Sequence, residues 1–577
     1  MNYTFLSSLV LAVCMHVLYA KADQNQPPYN AVHPYEIYKF GKDDASIERS
    51  IRFAKEHNVA HISYVGPIRP TYMAMLFNLL KDFKLKYLSL GCIDGGSVGN
   101  EDIEILVSEF PNLQYLRLYH NKIGSKGAET LAKKLKVVQH LNLGSGNIGD
   151  KGAEALANGF PKLQELHLAS NKIGNKGAEG LVKGFPKLQY LDLDGNSIGN
   201  EGIKALVNGF PNLHELHLAS NKIGDKGAEV VASGFPKLQR LYLASNKIGH
   251  KGAEVLASGF PKLQYLDLNG NSIGNKGIKA LVNGFPNLHE LHLASNKIGD
   301  KDVKELAKGF LELQYLNLDG NKIGNEGIKA LASGFQKLRK LHLASHKIGD
   351  ETIKILVNGF PYLQELHLAS NNVGDKGVKV LSNGFPNLQR LHLKSNKIGN
   401  EGIKALVSGF PKLQELYLDG NNIGDEVIEI LVSGLPDLQE LHLASNKIGN
   451  KGAEALASGF PKLRQLYLAS DKIGNEGAEA LAKGLPMLQQ LRLKSNSIGY
   501  VGAKALAKGF PNIQQLYLHS DGIPYEFVKI LEETTHLQVL SNNESKEIGK
   551  GIGRAIGKGV GKEIGKGIGR GIINLFT

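Results

Sequence analysis

The chain is poor in the features that staple or anchor a protein. It holds two cysteines, Cys14 and Cys92, and Cys14 falls in a segment expected to be removed, so no intrachain disulfide is expected and packing must supply stability. It has one long apolar run, Phe5 to Ala20, followed by Ala20-Lys21-Ala22. That run is short for a membrane span, and the small residues before a cut after Ala22 give it the form of a secretory signal peptide, with an uncleaved anchor as the alternative. No other stretch has the character of an ordinary apolar spanning helix. Nor does one sign of charge dominate. The formal net charge is +13, but acids and bases alternate through most of the chain, so nucleic acid is not an expected partner of that part.

What the chain has is a period. Leu113-Gln-Tyr-Leu-Arg-Leu118 returns as Leu163-Gln-Glu-Leu-His-Leu168 and onward to Ile513, every 25 residues without insertion, which makes seventeen units. Their common form is L-x-x-L-x-L-x-x-N-x-I-G-x-x-G-A/I-x-x-L-x-x-G-F-P. In the first half, Leu166, His167 and Leu168 alternate with period two, which predicts a short strand with leucines inward and the residues between them outward. Asn171 closes the strand and is expected to hydrogen-bond turn backbone, with Ile173 plugging the core beside it. In the second half, Ala178, Leu181, Val182 and Phe185 share one helical face. Asn175 is expected to cap that helix, with Glu179 in its first turn. Gly184 is expected to end it in a left-handed conformation, and Pro186 to block its continuation. One strand-turn-helix unit cannot bury its own apolar face, so neighbours must stack, and helices wider than strands bend the stack with its strands on the inside.

This pattern resembles the ribonuclease-inhibitor-like class of leucine-rich repeats. Gly152-Ala-Glu-Ala-Leu-Ala157, which returns at Gly452 to Ala457 and Gly477 to Ala482, is similar to the Gly-Ala-Leu-Ala repeats of some bacterial effectors. The resemblance covers roughly three quarters of the chain and implies an α/β solenoid, a curved horseshoe with parallel strands concave and short helices convex, that binds protein on its strand face. No F-box-like segment is visible between Asp23 and Ile62 and no ligase domain is appended, so the ubiquitin-ligase activity of some relatives is not carried over.

The expected organisation is a signal peptide over 1–22, an N-terminal segment over 23–58, and two degenerate capping repeats over 59–112. The repeat domain follows over 113–540 with a closing strand at His536 to Leu540, and a separate glycine-rich cationic tail fills 541–577. Two spans, Leu188 to Lys226 and Leu263 to Lys301, differ only at Asp194/Asn269 and Glu201/Lys276, a sign of recent duplication.

The candidate site is the row of outward strand positions. The residue before the middle leucine runs Tyr190, Glu215, Arg240, Tyr265, Glu290, Tyr315, Lys340, Glu365, Arg390, Glu415; the residue after it runs Asp192, His217, Tyr242, Asp267, His292, Asn317, His342, His367, His392, Tyr417. Tyrosine and arginine are favoured interface anchors, which points to a protein partner. These side chains are expected to be exposed, so that replacing Tyr265, Tyr315 and Arg240 by Ala would spare stability. His342, His367 and His392 fall on successive strands and are expected to titrate near the ordinary value of about 6.5, making partner affinity pH-dependent. Parallel copies of one position do not converge as tetrahedral ligation requires, so this row predicts no metal. Periodic Ala-Ser-Asn residues are turn residues first, so no catalytic group and no cofactor is expected. Where Gly146, His346, Asp471 and Asp521 replace the closing Asn, the turn is expected to loosen locally.

The tail differs in kind. Ile548, Ile552, Ile556, Val560, Ile564, Ile568 and Ile572 recur every four residues beside Lys550, Arg554, Lys558, Lys562, Lys566 and Arg570, with glycines between. This resembles a cationic glycine zipper. Its alternatives are a disordered basic extension, a partner-binding or nucleic-acid-binding segment, and association with an anionic membrane through those basic residues and Ile552, Ile556, Ile564 and Ile568. The reading as a whole is a non-enzymatic protein-binding scaffold, secreted or on the cell surface. The alternatives are a membrane-active protein using the tail and a ubiquitin-ligase-type effector.

Overall fold

The computed structural model describes residues 36–37, 61–65, 77, 80, 84–91 and 98–519, save 208, 470–471 and 495–496. The expected signal segment, the closing strand at 536–540 and the tail lie outside the described residues.

Alternating leucines form strands that are short and all parallel. Glu165–His167 pairs with Tyr190–Asp192 in strict register, Glu165 against Tyr190, Leu166 against Leu191 and His167 against Asp192. The same one-period step runs from Tyr115–Arg117 to Gln515–His519, within a sheet that has 20 strands among the described residues. At the other end His61–Val65 and Tyr87–Gly91 pair in the same sense. Glu36–Ile37 adds a strand beside Ser63 and Tyr64, in a stretch where no periodicity announced one. Helices such as Asp225–Gly234 and Tyr500–Gly509 return the chain to the next strand. Between the layers lies one continuous core: in a typical unit Leu163, Leu166, Leu168, Ile173, Ala178, Leu181 and Phe185 are all buried. The sheet stays open and its helices are one-sided, which is the architecture of a leucine-rich-repeat solenoid.

Neighbouring units are welded by the closing asparagines. Asn171 Nδ2 donates to Leu143 O at 2.9 Å and Ala169 O at 3.1 Å, while its Oδ1 accepts from Gly146 N at 2.9 Å and Ile148 N at 3.1 Å. Each side chain thus satisfies backbone groups of the preceding unit that packing hides from water. His346 does not loosen this ladder as expected: its Nδ1 accepts from Ile323 N at 3.3 Å and its Nε2 lies 2.8 Å from Leu318 O. Two ring nitrogens reproduce the reach of a carboxamide. Burial holds this imidazole below its ordinary range, against the pull of Leu318 O, and the neutral form is the one that can accept.

Two local expectations are corrected. Asn175 makes no cap; the helix Asn175–Leu181 starts after Gly174, whose own N–H donates to Asp150 Oδ1 of the preceding unit at 2.6 Å. The same link joins Gly249 to Asp225 and Gly449 to Asp425, so the polar residue at this position serves the next helix rather than its own. Gly184 is not left-handed; that conformation falls on Phe185, at φ 59°. Gly184 is required because a Cβ there would lie 2.1 Å from Ala157 O, and its lack of a side chain lets adjacent helix ends touch.

Candidate functional site

The two outward columns do not stand apart as exposed side chains. They interleave into one stack of rings. From His167 the contacts run through Tyr190, His217, Tyr242, Tyr265, His292, Tyr315, His342, His367, His392, Tyr417 and His442 to Tyr467, thirteen rings on thirteen successive strands. Centroids are 3.5 Å apart at His342–His367 and at His367–His392, and 5.0 Å apart at the widest step, Tyr190–His217. Arg492 carries the line onward, 5.2 Å from the Tyr467 ring and 4.7 Å from that of Tyr517. Parallel strands lie about 4.8 Å apart, slightly more than ring thickness, so a ring on each strand can lean onto its neighbour from either column. A separate run of three rings, Tyr87 on Tyr115 at 5.9 Å and Tyr115 on His140 at 4.0 Å, stands nearer the N-terminus.

Stacking buries what the sequence placed in the open. Tyr265, His292, His342 and Glu365 are each no more than 9% exposed. The expected exposure of Tyr265 is therefore corrected, because its ring lies between Tyr242 at 4.4 Å and His292 at 4.9 Å and under the Arg240 guanidinium at 4.5 Å. Burial also pushes the hydroxyls of Tyr190, Tyr265, Tyr315 and Tyr417 above their ordinary range, helped by nearby acids. Arg240, Lys340 and Arg390 remain partly exposed beside the stack.

The histidines are sorted by their neighbours, which corrects the expectation of a common titration. Burial, with the charge of His367 beside it, pushes His392 down to about 3. Burial lowers His292 to about 4 and holds His367 below its usual range although Glu365 opposes. His217 goes the other way: burial disfavours its charge, but hydrogen bonds to Asp194 and Glu215 outweigh that and lift it to about 9. Desolvation of the half-buried Asp267, with the charge of Asp194, lifts it to about 6 against the hydrogen bond it accepts from Asn269 N.

Glu365 is the electrostatic hub of the stack. His342 Nε2 lies 3.0 Å from its Oε1, and His367 Nε2 lies 2.9 Å from the same oxygen without hydrogen-bonding geometry. Arg390 Nη1 and Lys340 Nζ lie 3.3 and 3.6 Å from Oε2. Burial works against the ionised carboxyl, but His342, His367 and Lys340 more than offset it and hold Glu365 far below the usual carboxylate range. Arg390 also reaches Glu415 at 2.7 Å, and Tyr417 Oη donates to Glu440 at 2.9 Å. Of the remaining predicted positions, Asp192 Oδ1 accepts from Asp194 N at 3.0 Å and Asn317 Oδ1 from Asp319 N at 3.0 Å, both orienting the turn after the strand. Glu290 pairs in register with Tyr265 and Tyr315 on either side. Sequence reasoning left out His167, Glu440, His442, Tyr467 and Arg492, which continue the same columns; extending the 25-residue step in both directions finds them.

Leucine-rich-repeat models match the chain over residues 211–273 and 361–423. A second such model matches 111–132, 134–157, 161–182, 186–207, 286–307, 313–332, 336–354, 434–457, 461–482 and 484–507, and a third 412–436. No curated protein sequence matches. Among solved structures, a leucine-rich-repeat protein of Leptospira interrogans is 25% identical over 72% of this chain and 100% of its own, with a TM-score of 0.39. An internalin from Listeria monocytogenes is 20% identical over 63% of this chain and 88% of its own, with a TM-score of 0.35. TLR13 in its complex with ssRNA13 is 20% identical over 81% of this chain and 61% of its own, with a TM-score of 0.43. Family models that together span more than half of the sequence and an open parallel ladder of 25-residue units give one conclusion: the chain belongs to the leucine-rich-repeat family.

Proposed function

We propose that the protein is a non-enzymatic scaffold that holds a protein partner on its concave strand face. The observation that carries this reading is the thirteen-ring stack. Its side chains are already ordered by one another, so a partner docking there meets aromatic surface whose rotamer entropy is largely spent before binding, which is how rigid aromatic anchors gain affinity. Arg240, Lys340 and Arg390 stand beside it as partly exposed charged contacts. A protein fits better than a nucleic acid. Over the two columns from Tyr115 to Tyr517, eight acids (Glu165, Asp192, Glu215, Asp267, Glu290, Glu365, Glu415, Glu440) face five bases (Arg117, Arg240, Lys340, Arg390, Arg492), and a polyanion needs the reverse.

The stretch 1–22 has the form of an export signal and supports a secreted or surface location of the effector kind. Among the described residues no helix is long and apolar enough to cross a membrane. The four-residue recurrence of Ile and Lys/Arg over 548–572 supports a second reading, in which the tail attaches the scaffold to an anionic lipid surface. Affinity capture with the full chain, against capture with Arg240, Lys340 and Arg390 changed to Ala, tests the first reading. Partners should be lost in that variant and kept when the helix-side Lys176 and Lys226 are changed instead; the opposite pattern would place binding on the convex side. Retention of the full chain, but not of a chain ending at 546, on anionic vesicles tests the second.

A further inference from the structure

We propose that His342, Glu365 and His367 form a binding site for one divalent transition-metal ion of the zinc class. The column of histidines alone does not converge. The structure adds a carboxylate from the other column, and the nitrogens of His342 and His367 and an oxygen of Glu365 lie within 4.8 Å of one another. Both Nε2 atoms approach a single oxygen, Oε1, at 3.0 and 2.9 Å. A tetrahedral ion bound at about 2.1 Å holds its donors about 3.4 Å apart, so each nitrogen needs to draw back from Oε1 by a few tenths of an ångström. The His367 Nε2 atom is buried without a hydrogen-bond partner, a cost that coordination would relieve. Two imidazoles and one carboxylate favour zinc, nickel or copper over magnesium or calcium.

The groups behind these donors are arranged as metal sites require. Tyr315 Oη lies 3.2 Å from His342 Nδ1, so the imidazole proton can move to Nδ1, where the tyrosine oxygen accepts it, leaving the Nε2 lone pair for the ion. Arg390 and Lys340 occupy Glu365 Oε2, which fixes the carboxylate and leaves Oε1 as the ligating oxygen. The two rings are stacked within 9° of parallel and must splay to aim both lone pairs at one point. The next pair in the ladder, His367 and His392, stands at 31° with the same 3.5 Å spacing, so the stack accepts a tilt of that order. Water completes the coordination.

The test uses the full chain stripped of metal and titrated with Co2+, whose ligand-field absorption reports tetrahedral coordination, followed by displacement with Zn2+. The native chain should show visible bands saturating at one equivalent, bleached by Zn2+ and untouched by Mg2+. E365Q and H367N should each weaken Co2+ binding at least tenfold, whereas E440Q, in the Glu440–His442 pair three strands along, should bind as the native chain does. Y315F keeps its ring in the stack and loses only the oxygen behind His342, so it decides the matter even where E365Q does not fold: about a tenfold loss is expected. Absence of bands from the native chain, or an unchanged Co2+ affinity in Y315F, overturns the proposal.

Discussion

Replacing His392 by Gln should remove a defined part of the protein's acid sensitivity. His392 lies in the ladder between His367 at 3.5 Å and Tyr417 at 3.7 Å, and burial together with His367 pushes it down to about 3. In the unfolded chain an ordinary imidazole titrates near 6.5. For a base depressed on folding, the unfolded chain takes the proton first. Stability is therefore full above pH 6.5 and is lost as pH falls from there toward 3. At pH 5.0 the unfolded group gains about 1.5 units' worth of proton binding that the folded group does not, about 2 kcal/mol at about 1.4 kcal/mol per unit. Glutamine is of similar size and does not titrate, and every other group is common to both chains, so the difference between them isolates this term. The assay is urea unfolding of both chains at pH 7.5 and 5.0 followed by far-UV circular dichroism. Because a solenoid can open unit by unit, native-state amide exchange over the strand Arg390–His392 is measured alongside. The native chain should lose about 2 kcal/mol more than H392Q between the two pH values. Equal losses in the two chains would show that His392 carries its charge freely in the folded state and would refute the reasoning.

Three other outcomes follow from the same contacts. Asn171→Ala strands three buried backbone groups, Gly146 N, Ile148 N and Leu143 O, and should cost about 3–5 kcal/mol in urea denaturation, since each unmet group costs about 1–3 kcal/mol with partial relaxation; a loss under 1 kcal/mol would mean that the ladder is not a stabilising element. Tyr265→Ala should cost about 2–4 kcal/mol and raise amide exchange in the flanking strands, by lost burial and stacking; the unchanged stability expected of an exposed side chain would contradict the packing. His346→Asn restores the carboxamide found in neighbouring units and should leave stability at pH 7 the same or raise it by about 0.5–1 kcal/mol, with a larger gain at pH 5, where the unfolded imidazole takes a proton; a smaller gain at pH 5 than at pH 7 would refute the neutral, accepting form of His346.

The fold was legible in the sequence because every unit repeats the same answer to the same problem: Leu166, Leu168 and Ile173 point inward, Asn171 closes the turn, and no insertion breaks the register. The candidate face was legible as a set of positions. Its physical character was not, because each column was read by itself. Tyr190 and His217 belong to different columns, and only the spacing between real strands shows that one ring leans on the other. The same blindness hid Glu365 as a partner of both His342 and His367. Local rules misled where the partner lay one unit away. Local rules make Asn175 and Gly184 caps of their own helix, whereas the first position in other units bonds to the following helix and the glycine accommodates the preceding one. Glu36–Ile37, two residues without a repeat around them, carried no periodic signal at all.

The bonds that join neighbouring units have a consequence for how such a protein changes length. Asn171 completes the turn of the unit before it, and Asp150 holds the start of the helix after it. Because these links run between equivalent positions, a gene segment of one or more whole periods can be copied or lost and the junction still finds its asparagine and its aspartate. The near-identity of Leu188 to Lys226 and Leu263 to Lys301 is what recent copying of this kind leaves behind. Copy number then becomes a tuning variable: each added period lengthens the aromatic row by one strand, so the size of surface that the scaffold can grip can change by recombination in a single step, without any interior residue being altered.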